Sequence, residues 1–148
     1  MGDNGLAPTW ESVVNNVREV SIDNALGGNL AFLTNPKVAA KMRSVVRVSS
    51  TDSKMILGDR NELFGYKVYA TSLVPSNLTK GTSSGVCSAM IFGNFNDLVV
   101  GEWGALDLLF DPYTGSTTGA MRVTAFMDCD VAVRHAQSFS ATQDYLTT

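Results

Sequence analysis

A stretch near the end of the chain alternates between apolar and polar side chains. Every odd-numbered residue from Met121 to Val133 is apolar, and the even-numbered positions carry all the charges of the stretch. Such a period of two is typical of a β-strand with one apolar face. Thirteen residues would extend roughly 40 Å, whereas a common strand has about 5–6 residues. A strand that outgrows a small domain must pair outside it, so we expect contact with another subdomain or another chain.

The composition is that of one globular domain, or part of one. The 148 residues are 45% hydrophobic and 17% charged, which allows a sizeable core and leaves a slightly low charged share. The net charge of −3 provides no general attraction to nucleic acid, because that binding depends on basic side chains that neutralise phosphates. The aromatic residues are not interleaved with basic ones, which argues against a surface for single-stranded nucleic acid.

The sequence has no recognisable signal for secretion or membrane insertion. The start, MGDNGLAPTW, lacks the basic and apolar regions of a signal peptide, and no apolar run is long enough to cross a bilayer. The sequon at Asn77 is therefore expected to be fortuitous. Cys87 and Cys129 are predicted to be free buried thiols rather than a disulfide. These features predict an intracellular, soluble chain.

The first half of the chain predicts a helix, a buried strand and a second helix. A helix near residues 9–26, capped by Thr9, would end at Gly27-Gly28, since glycine ends many helices. Residues 30–33 are all apolar, as in a strand buried on both faces. An Asn-Pro step then starts a second helix near 36–47.

The second half is predicted to be mostly β-structure, which gives an α+β (mixed α/β) fold class. The run from Leu63 to Thr71 is rich in aromatic and β-branched residues, as strands are. Residues 75–85 have the composition of a flexible loop, and residues 140–148 that of a polar tail. The further strand candidates are 86–92, 98–103 and 105–110, with bends or bulges expected at Gly101 and Gly104.

Candidate catalytic residues are few. His135, the only histidine, stands at the end of the alternating strand, and catalysis would require a nucleophile or carboxylate brought close by the fold. We favour a polar strand-end position instead. Trp10 and Trp103 are predicted to be packing residues. No nucleophile elbow, dinucleotide fingerprint or zinc spacing occurs, so no catalytic or cofactor-binding residue is assigned.

Two carboxylates of the alternating strand suggest a cation site only weakly. Asp128 and Asp130 share a face, but two carboxylates are too few for a recognisable site. Arg122 and Arg134 lie on the same face, which favours salt bridges within the chain or between subunits. The glycine-rich stretch 81–85 lacks the Lys-Ser/Thr step of a phosphate-binding loop. No metal site is assigned.

Four short segments carry a family resemblance. Each is built from common residues and is not decisive alone, but their order and spacing together are specific. They are AFLTNPKVAAKMR, LFGYKVYATSLVP, AMIFGNFNDLVVGEWGALDLLFDPY and MRVTAFMDCDVAVRHAQSF. In their order and spacing the chain resembles the C-terminal half of tailed-bacteriophage major capsid proteins, which have the Hong Kong 97 fold that encapsulin nanocompartments also use. Lys67 and Asn94 depart from the proline and aspartate usual in that family, and both are tolerable in a turn or at a strand start.

The resemblance implies a shell-building protein. Residues 1–120 would correspond to the family's axial domain, a mixed sheet flanked by helices. Residues 121–139 would form the long strand of its peripheral domain, which would explain the strand's length, and residues 140–148 would be the polar tail. The family's N-terminal arm, extended loop and spine helix are not seen, so we expect a fragment of a longer protein.

Three functions of different classes are open. The first is a phage or prophage major capsid protein, or a fragment of one, that self-assembles into hexamers, pentamers and an icosahedral virion shell around DNA. It would be no enzyme, bind no cofactor or membrane, contact packaged DNA only indirectly, and assemble in the bacterial cytoplasm with a scaffold or protease as possible partners. The second is an encapsulin-like compartment. The third is a small hydrolase or binding module in which His135 meets acidic residues in a concave pocket.

Overall fold

The computed structural model describes residues 3–147, apart from the side chains of Asp52 and Ser53, and divides into two units. We call Met1–Asp97 with His135–Thr148 the sheet unit and Leu98–Arg134 the ribbon. Two helices and a mixed sheet confirm the α+β class. The elements are α1 (Trp10–Ile22), β1 (Leu30–Thr34), α2 (Pro36–Ser44), β2 (Val46–Val48), β3 (Asp52–Met55), β4 (Glu62–Leu63), β5 (Tyr66–Ala70), β6 (Leu78–Lys80), β7 (Ser83–Asn94), β8 (Leu98–Asp111), β9 (Arg122–Val133) and β10 (Phe139–Leu146).

The sheet unit is built on strands in the order β10-β7-β1-β5-β4, with β6 beside β7. The all-apolar run is confirmed as an interior strand, because β1 pairs parallel with β5 and antiparallel with β7. Phe32 of β1 packs on Phe92 of β7, with ring centroids 4.5 Å apart. The core cluster consists of Val13, Val17, Val20, Phe32, Val38, Ala39, Met42, Ile56, Leu57, Leu63, Met90, Phe92 and Tyr145.

Helix α1 packs one stripe of valines into this core. Its buried residues include Val13, Val17 and Val20, which recur at helical spacing. Thr9 caps the helix as predicted: its Oγ1 accepts a hydrogen bond from Ser12 N (3.2 Å), and Ser12 Oγ accepts one from Thr9 N (3.3 Å). Such a cap contributes about 1 kcal/mol.

The predicted end of this helix at Gly27-Gly28 was wrong. Helix α1 ends at Ile22, because Asn24 takes a left-handed φ of 54°. The Ala25 N–H then donates to the Val20 carbonyl at 3.1 Å. Asparagine thus supplies the closing motif that glycine supplies more often.

The Asn-Pro step starts helix α2 as predicted, with Asn35 as its N-cap. The helix was predicted near 36–47 but ends at Ser44. Val45 already has an extended backbone, and the next residues form β2. Consecutive β-branched residues favour this change, since their side chains are restricted in a helix.

Two stretches predicted as single elements are hairpins. The predicted strand Leu63–Thr71 is divided into β4 and β5, because Phe64 and Gly65 both take left-handed conformations, with φ of 52° and 84°. These angles make a two-residue turn that matches the twist of antiparallel strands. The predicted flexible loop 75–85 contains β6, which pairs with β7 across a turn that begins at Gly81.

The predicted polar tail, residues 140–148, was also wrong, because most of it forms strand β10 beside β7; Thr148 lies outside the described residues. Tyr145 of this strand is fully buried, and its hydroxyl donates to Ser12 Oγ of α1 at 2.8 Å. Since β10 buries only one large side chain completely, its composition stays polar.

The ribbon is an antiparallel hairpin of β8 and β9. The alternating stretch is confirmed as one strand, β9, but the long strand expected over 121–139 is shorter, because β9 ends at Val133 and Phe139 already begins β10. The strands predicted at 98–103 and 105–110 are joined in β8, and the register shifts around Gly104, whose φ is 88°. The bend expected there is confirmed, whereas Gly101 pairs in register with Asp130 and marks no bend. Within the described chain β9 pairs only with β8.

Candidate assembly surface

The ribbon exposes its apolar side chains to solvent. None of its described residues is buried in this chain. Trp103 and Phe110, for example, are each 57% exposed. The exposed large apolar residues of the ribbon are Leu98, Val99, Val100, Trp103, Leu106, Leu108, Leu109, Phe110, Tyr113, Met121, Val123, Phe126, Met127, Val131 and Val133.

The strand register sorts these side chains onto two faces, because residues directly opposite each other share a face. Leu98 lies opposite Val133 and Phe110 opposite Val123, on the face of the odd positions of β9. We call this the apolar face; Glu102 is the charged residue among its paired positions. The apolar face consists of Leu98, Val100, Glu102, Leu108, Phe110, Val123, Ala125, Met127, Cys129, Val131 and Val133.

An uncovered apolar face leaves the ribbon incomplete. A two-stranded hairpin is marginally stable in water, and further strands or a packing partner are normally required. Complete burial of one Val, Leu or Phe side chain contributes about 1.5–3 kcal/mol, so covering several at once is strongly favourable. Contiguous exposed apolar surface marks interaction sites. The ribbon is therefore a candidate assembly surface.

The opposite, mixed face of the ribbon carries most of its charges. Asp128 and Asp130 share this face, as the alternation predicts, and Arg122 lies directly opposite Asp111. No group of three or more His, Cys, Asp or Glu residues among the described part of the chain could hold a metal ion. Asp130 Oδ1 accepts a hydrogen bond from the next backbone amide at 2.8 Å. The salt bridges expected here between subunits stay a prediction.

Asp111 organises the loop that joins β8 to β9. Its Oδ1 accepts hydrogen bonds from the amides of Tyr113 (2.8 Å) and Thr114 (3.2 Å), and its Oδ2 accepts one from Thr114 Oγ1. These bonds, with the Thr114 hydroxyl first, hold the pKa of Asp111 below its ordinary value. The loop thereby presents Tyr113, which is 84% exposed.

His135 lies where the chain returns from the ribbon to the sheet unit. Its Nδ1 is 2.9 Å from Ser138 Oγ, and Ser138 Oγ donates to Asp97 Oδ2 at 2.7 Å. Asn94 Nδ2 donates to the same carboxylate oxygen at 3.0 Å. Asp97 is the last residue before the ribbon and His135 the first after it. The network therefore links the departing and returning segments within the sheet unit, a connection that sequence spacing did not reveal.

The order of groups in this network differs from that of a nucleophilic triad. A triad needs histidine between serine and carboxylate, so that the imidazole takes the hydroxyl proton. Here Ser138 stands in the middle, and its hydroxyl donates a hydrogen bond to Asp97. Ser138 is only 2% exposed, so its oxygen is withdrawn from substrates. The arrangement stabilises structure and offers no activated nucleophile.

The tryptophan and the cysteine of the sheet unit are packed or buried, whereas those of the ribbon are exposed. Trp10 packs against Arg47, whose guanidinium carbon is 4.2 Å from the ring centre, as a packing residue should. Trp103 is exposed, so the packing prediction fails for it within this chain. Cys87 is buried as predicted, but Cys129 is exposed; both are free thiols.

No helix of the described chain is long and apolar enough to span a membrane.

Comparisons with known proteins agree with one another. Residues 2–144 match the model of the phage capsid family. The major capsid protein of Halomonas phage phiHAP-1 is 22% identical over 131 residues, which cover 88% of this chain and 20% of that protein. The capsid of an empty GTA particle has a TM-score of 0.59 at 21% identity, covering 90% of this chain and 44% of that one. The holo-SrpI encapsulin complex from Synechococcus elongatus has a TM-score of 0.56 at 16% identity, covering 96% and 51%.

The chain spans 20% of the length of its curated relative and 44% to 51% of these two solved chains. The likeness to the solved structures is one of fold. That fold is of the Hong Kong 97 type implied by the sequence resemblance, which is thereby confirmed.

Proposed function

Since the chain belongs to the phage capsid family, we propose that it forms part of a phage or prophage major capsid (head) protein. Copies of the whole protein would self-assemble into an icosahedral shell that encloses DNA. The subunit would reside in the virion and assemble in the cytoplasm of the bacterial host, with a scaffold or a protease as possible partners.

The uncovered apolar face of the ribbon carries this proposal. A monomeric protein must cover such a face to stay soluble, whereas a shell subunit reserves it for neighbours or for another part of its own protein. The low charged share of the chain, 17%, fits the same interpretation. Shell formation is therefore the function that best accounts for a half-exposed row of valine, leucine and phenylalanine side chains.

We assign the two units to the two domains that the resemblance implies. The sheet unit would correspond to the axial domain and the ribbon to the peripheral domain. The proposal shifts the boundary from residue 120 to the crossings after Asp97 and before His135. In capsomers, head-to-tail contacts between axial domains would close into rings of five or six.

The family and its structural neighbours point to a structural protein. We assign no catalytic, cofactor-binding or metal-binding residue to this chain. The hydrolase alternative required His135 to act as a base in a pocket. The neighbouring Ser138 is buried and its hydroxyl donates a hydrogen bond to Asp97, so His135 has no accessible nucleophile beside it to activate.

Electron microscopy of the longest protein encoded by this reading frame tests the proposal. We expect closed shells under assembly conditions. Val100→Lys places a charge on the apolar face and should prevent assembly, because the charge would have to be buried. Val99→Lys is the matched control, since Val99 is similarly exposed but lies on the mixed face. A wild-type protein that stays monomeric under every assembly condition would contradict the proposal.

A second candidate is an encapsulin-like compartment, favoured by the structural likeness to the SrpI encapsulin. The particle contents separate the two. Purified shells that contain DNA support the capsid, whereas shells that contain a protein cargo support the compartment. The neighbouring genes give an independent criterion. Terminase and portal genes would support the capsid, whereas a peroxidase gene would support the compartment.

A further inference from the structure

The two strands of the ribbon differ in their outer edges. Each strand pairs with the other along one side, and within the described chain its opposite side has no partner strand. In β8 the register shifts between Trp103 and Asp107, where β8 has more residues than the facing segment of β9. Extra residues of this kind bend a strand and protect its edge from further pairing. Strand β9 has no such insertion, so its edge is the one suited to a new strand.

The charges of the two strands also separate their edges. All the charged residues of β8 are acidic, whereas β9 carries Arg122 near its start and Asp128 and Asp130 near its end. Like charges directly opposite each other destabilise a strand pair, so a second copy of β8 beside β8 would be repelled. A second copy of β9 in parallel register would place each aspartate against itself. In the antiparallel orientation the basic end meets the acidic end, so β9 is complementary to its own copy.

These charges lack ion-pair partners in the part of the chain that the structure describes. The one salt bridge among those residues joins Arg18 and Glu19 in the sheet unit, so neither Arg122 nor Asp128 has an ion pair there. Arg122 lies directly opposite Asp111, but hydrogen bonds of the loop are made to both oxygens of that carboxylate. Arg122 and Asp128 are therefore available to a neighbouring copy.

One register satisfies the charged and polar side chains of the mixed face together. Centred on Phe126, it places Arg122 opposite Asp130 and Thr124 opposite Asp128 of the other copy, with the two phenylalanines facing each other. Arginine–carboxylate, hydroxyl–carboxylate and aromatic pairs are favourable across strands. On the apolar face the same register brings only uncharged side chains together. Moving the centre by one residue in either direction would leave the arginine or an aspartate opposite an alanine.

We propose that β9 of one copy pairs antiparallel with β9 of a second copy across a two-fold axis at Phe126. The two ribbons then form one four-stranded sheet, which is stable where a lone hairpin is marginal, and their apolar faces join into one wider surface. The inference rests on the proposed shell function and deepens it by naming a second kind of contact. Head-to-tail contacts close rings, whereas this self-complementary contact would link a subunit of one ring to a subunit of another.

Cysteine substitution at the proposed axis tests the contact. The longest protein encoded by this reading frame, carrying Cys129→Ser, receives either Phe126→Cys or, as the matched control on the same face, Thr124→Cys. Directly opposite Cβ atoms are about 4.5–5.5 Å apart, which allows a disulfide between two copies with Phe126→Cys. Two copies with Thr124→Cys would hold their sulfurs about 14 Å apart along the strands. During assembly with oxidised glutathione, Phe126→Cys should therefore give several-fold more cross-linked dimer than Thr124→Cys.

Charge reversal tests the register. Arg122→Asp places an acidic side chain opposite Asp130 of the other copy, and Asp130→Arg places a basic one opposite Arg122. Added to Phe126→Cys, each change alone should lower the yield of cross-linked dimer several-fold. A mixture of the two variants pairs an aspartate with an arginine at both positions and should recover most of the yield. The same two proteins are compared alone and together, and their urea midpoints before assembly check that each is folded.

The outcomes separate the contact from the function. Intact shells without the Phe126→Cys dimer would overturn the inference, while the proposed function would stand. Cross-linked dimers that never enter shells would support the contact and count against the function. Equal yields from Phe126→Cys and Thr124→Cys would indicate random collision and overturn the inference, as would a mixture of folded charge variants that recovers no dimer.

Discussion

Strands β7 and β9 each contain 12 residues, yet the chain buries one and exposes the other. In β7 the residues from Cys87 to Met90 are all buried, because β10 and β1 pair with its two edges and core side chains cover it. In β9 no residue is buried, and within the described chain only β8 pairs with it. An apolar strand pattern therefore predicts the strand and its apolar face, but not what covers that face.

The largest expected difference between the two regions concerns a pair of phenylalanines. Phe92 of β7 is fully buried against Phe32 and Tyr66, so Phe92→Ala should destabilise the chain by about 3–5 kcal/mol. Phe110 of β8 is 57% exposed, and Phe110→Ala should change stability by less than about 1 kcal/mol in the unassembled chain. Urea unfolding measures both. Similar losses would mean that the ribbon is covered in solution.

A smaller loss of stability is expected from mutations at the crossing, where the chain leaves the sheet unit after Asp97 and returns at His135. Ser138→Ala removes a hydrogen bond to the Asp97 carboxylate and should destabilise the sheet unit by about 1.5–3 kcal/mol. His135→Ala removes only the exposed outer member of the network and should cost less. Urea unfolding gives the free energy of unfolding of both variants, and hydrogen exchange at the backbone N–H of Asn94 reports local opening at the crossing. An equal or greater loss in His135→Ala would show that the histidine, not the serine, organises the crossing.

The smallest expected effect concerns two tyrosines and depends on pH. Burial raises the pKa of Tyr145 above its ordinary value of 10.0. The folded state then holds the phenolic proton more tightly than the unfolded state, so stability is complete below about pH 10 and falls as the pH rises further. Tyr145→Phe should lose about 1 kcal/mol at neutral pH and show less of this alkaline fall.

Tyr113→Phe in the exposed ribbon loop is the control for this measurement. Its unfolding midpoint should match that of the wild type from pH 8 to about 11, since Tyr113 is 84% exposed. Urea midpoints at several pH values provide the comparison. An alkaline fall that persists unchanged in Tyr145→Phe would assign it to another group.

Local signals predicted the elements that depend on a few adjacent residues. The Thr9 cap, the Asn-Pro start of α2, the buried run of β1 and the alternation of β9 all follow from backbone chemistry and side-chain periodicity. The bend at Gly104 belongs to the same class, because glycine takes left-handed angles without a steric penalty.

The predictions of element boundaries failed where a residue other than glycine takes a left-handed backbone conformation. They also failed where a strand buries few of its side chains. Asn24 ends α1 ahead of the glycines, and Phe64 occupies a left-handed turn position that asparagine or glycine usually takes. A two-residue spacing between Leu63 and Tyr66 was the available signal for that turn. Strand β10 was mistaken for a tail because one fully buried tyrosine is its main contribution to the core.

The candidate surfaces were predictable only in part. Alternation revealed the apolar side of β9, but not that β8 supplies matching residues to the same face. Exposure depends on every neighbour in space, and a linear pattern records only neighbours along the chain.

The sequence by itself determined the α+β class, the family and the apolar character of the long strand, because these depend on local periodicity and on an ordered set of short motifs. Only the tertiary structure decided that this strand pairs with β8 in a ribbon without a core, and that Ser138 stands between His135 and Asp97. The physical reason is that pairing and burial are formed by contacts between residues far apart in the chain, whose register no single segment encodes.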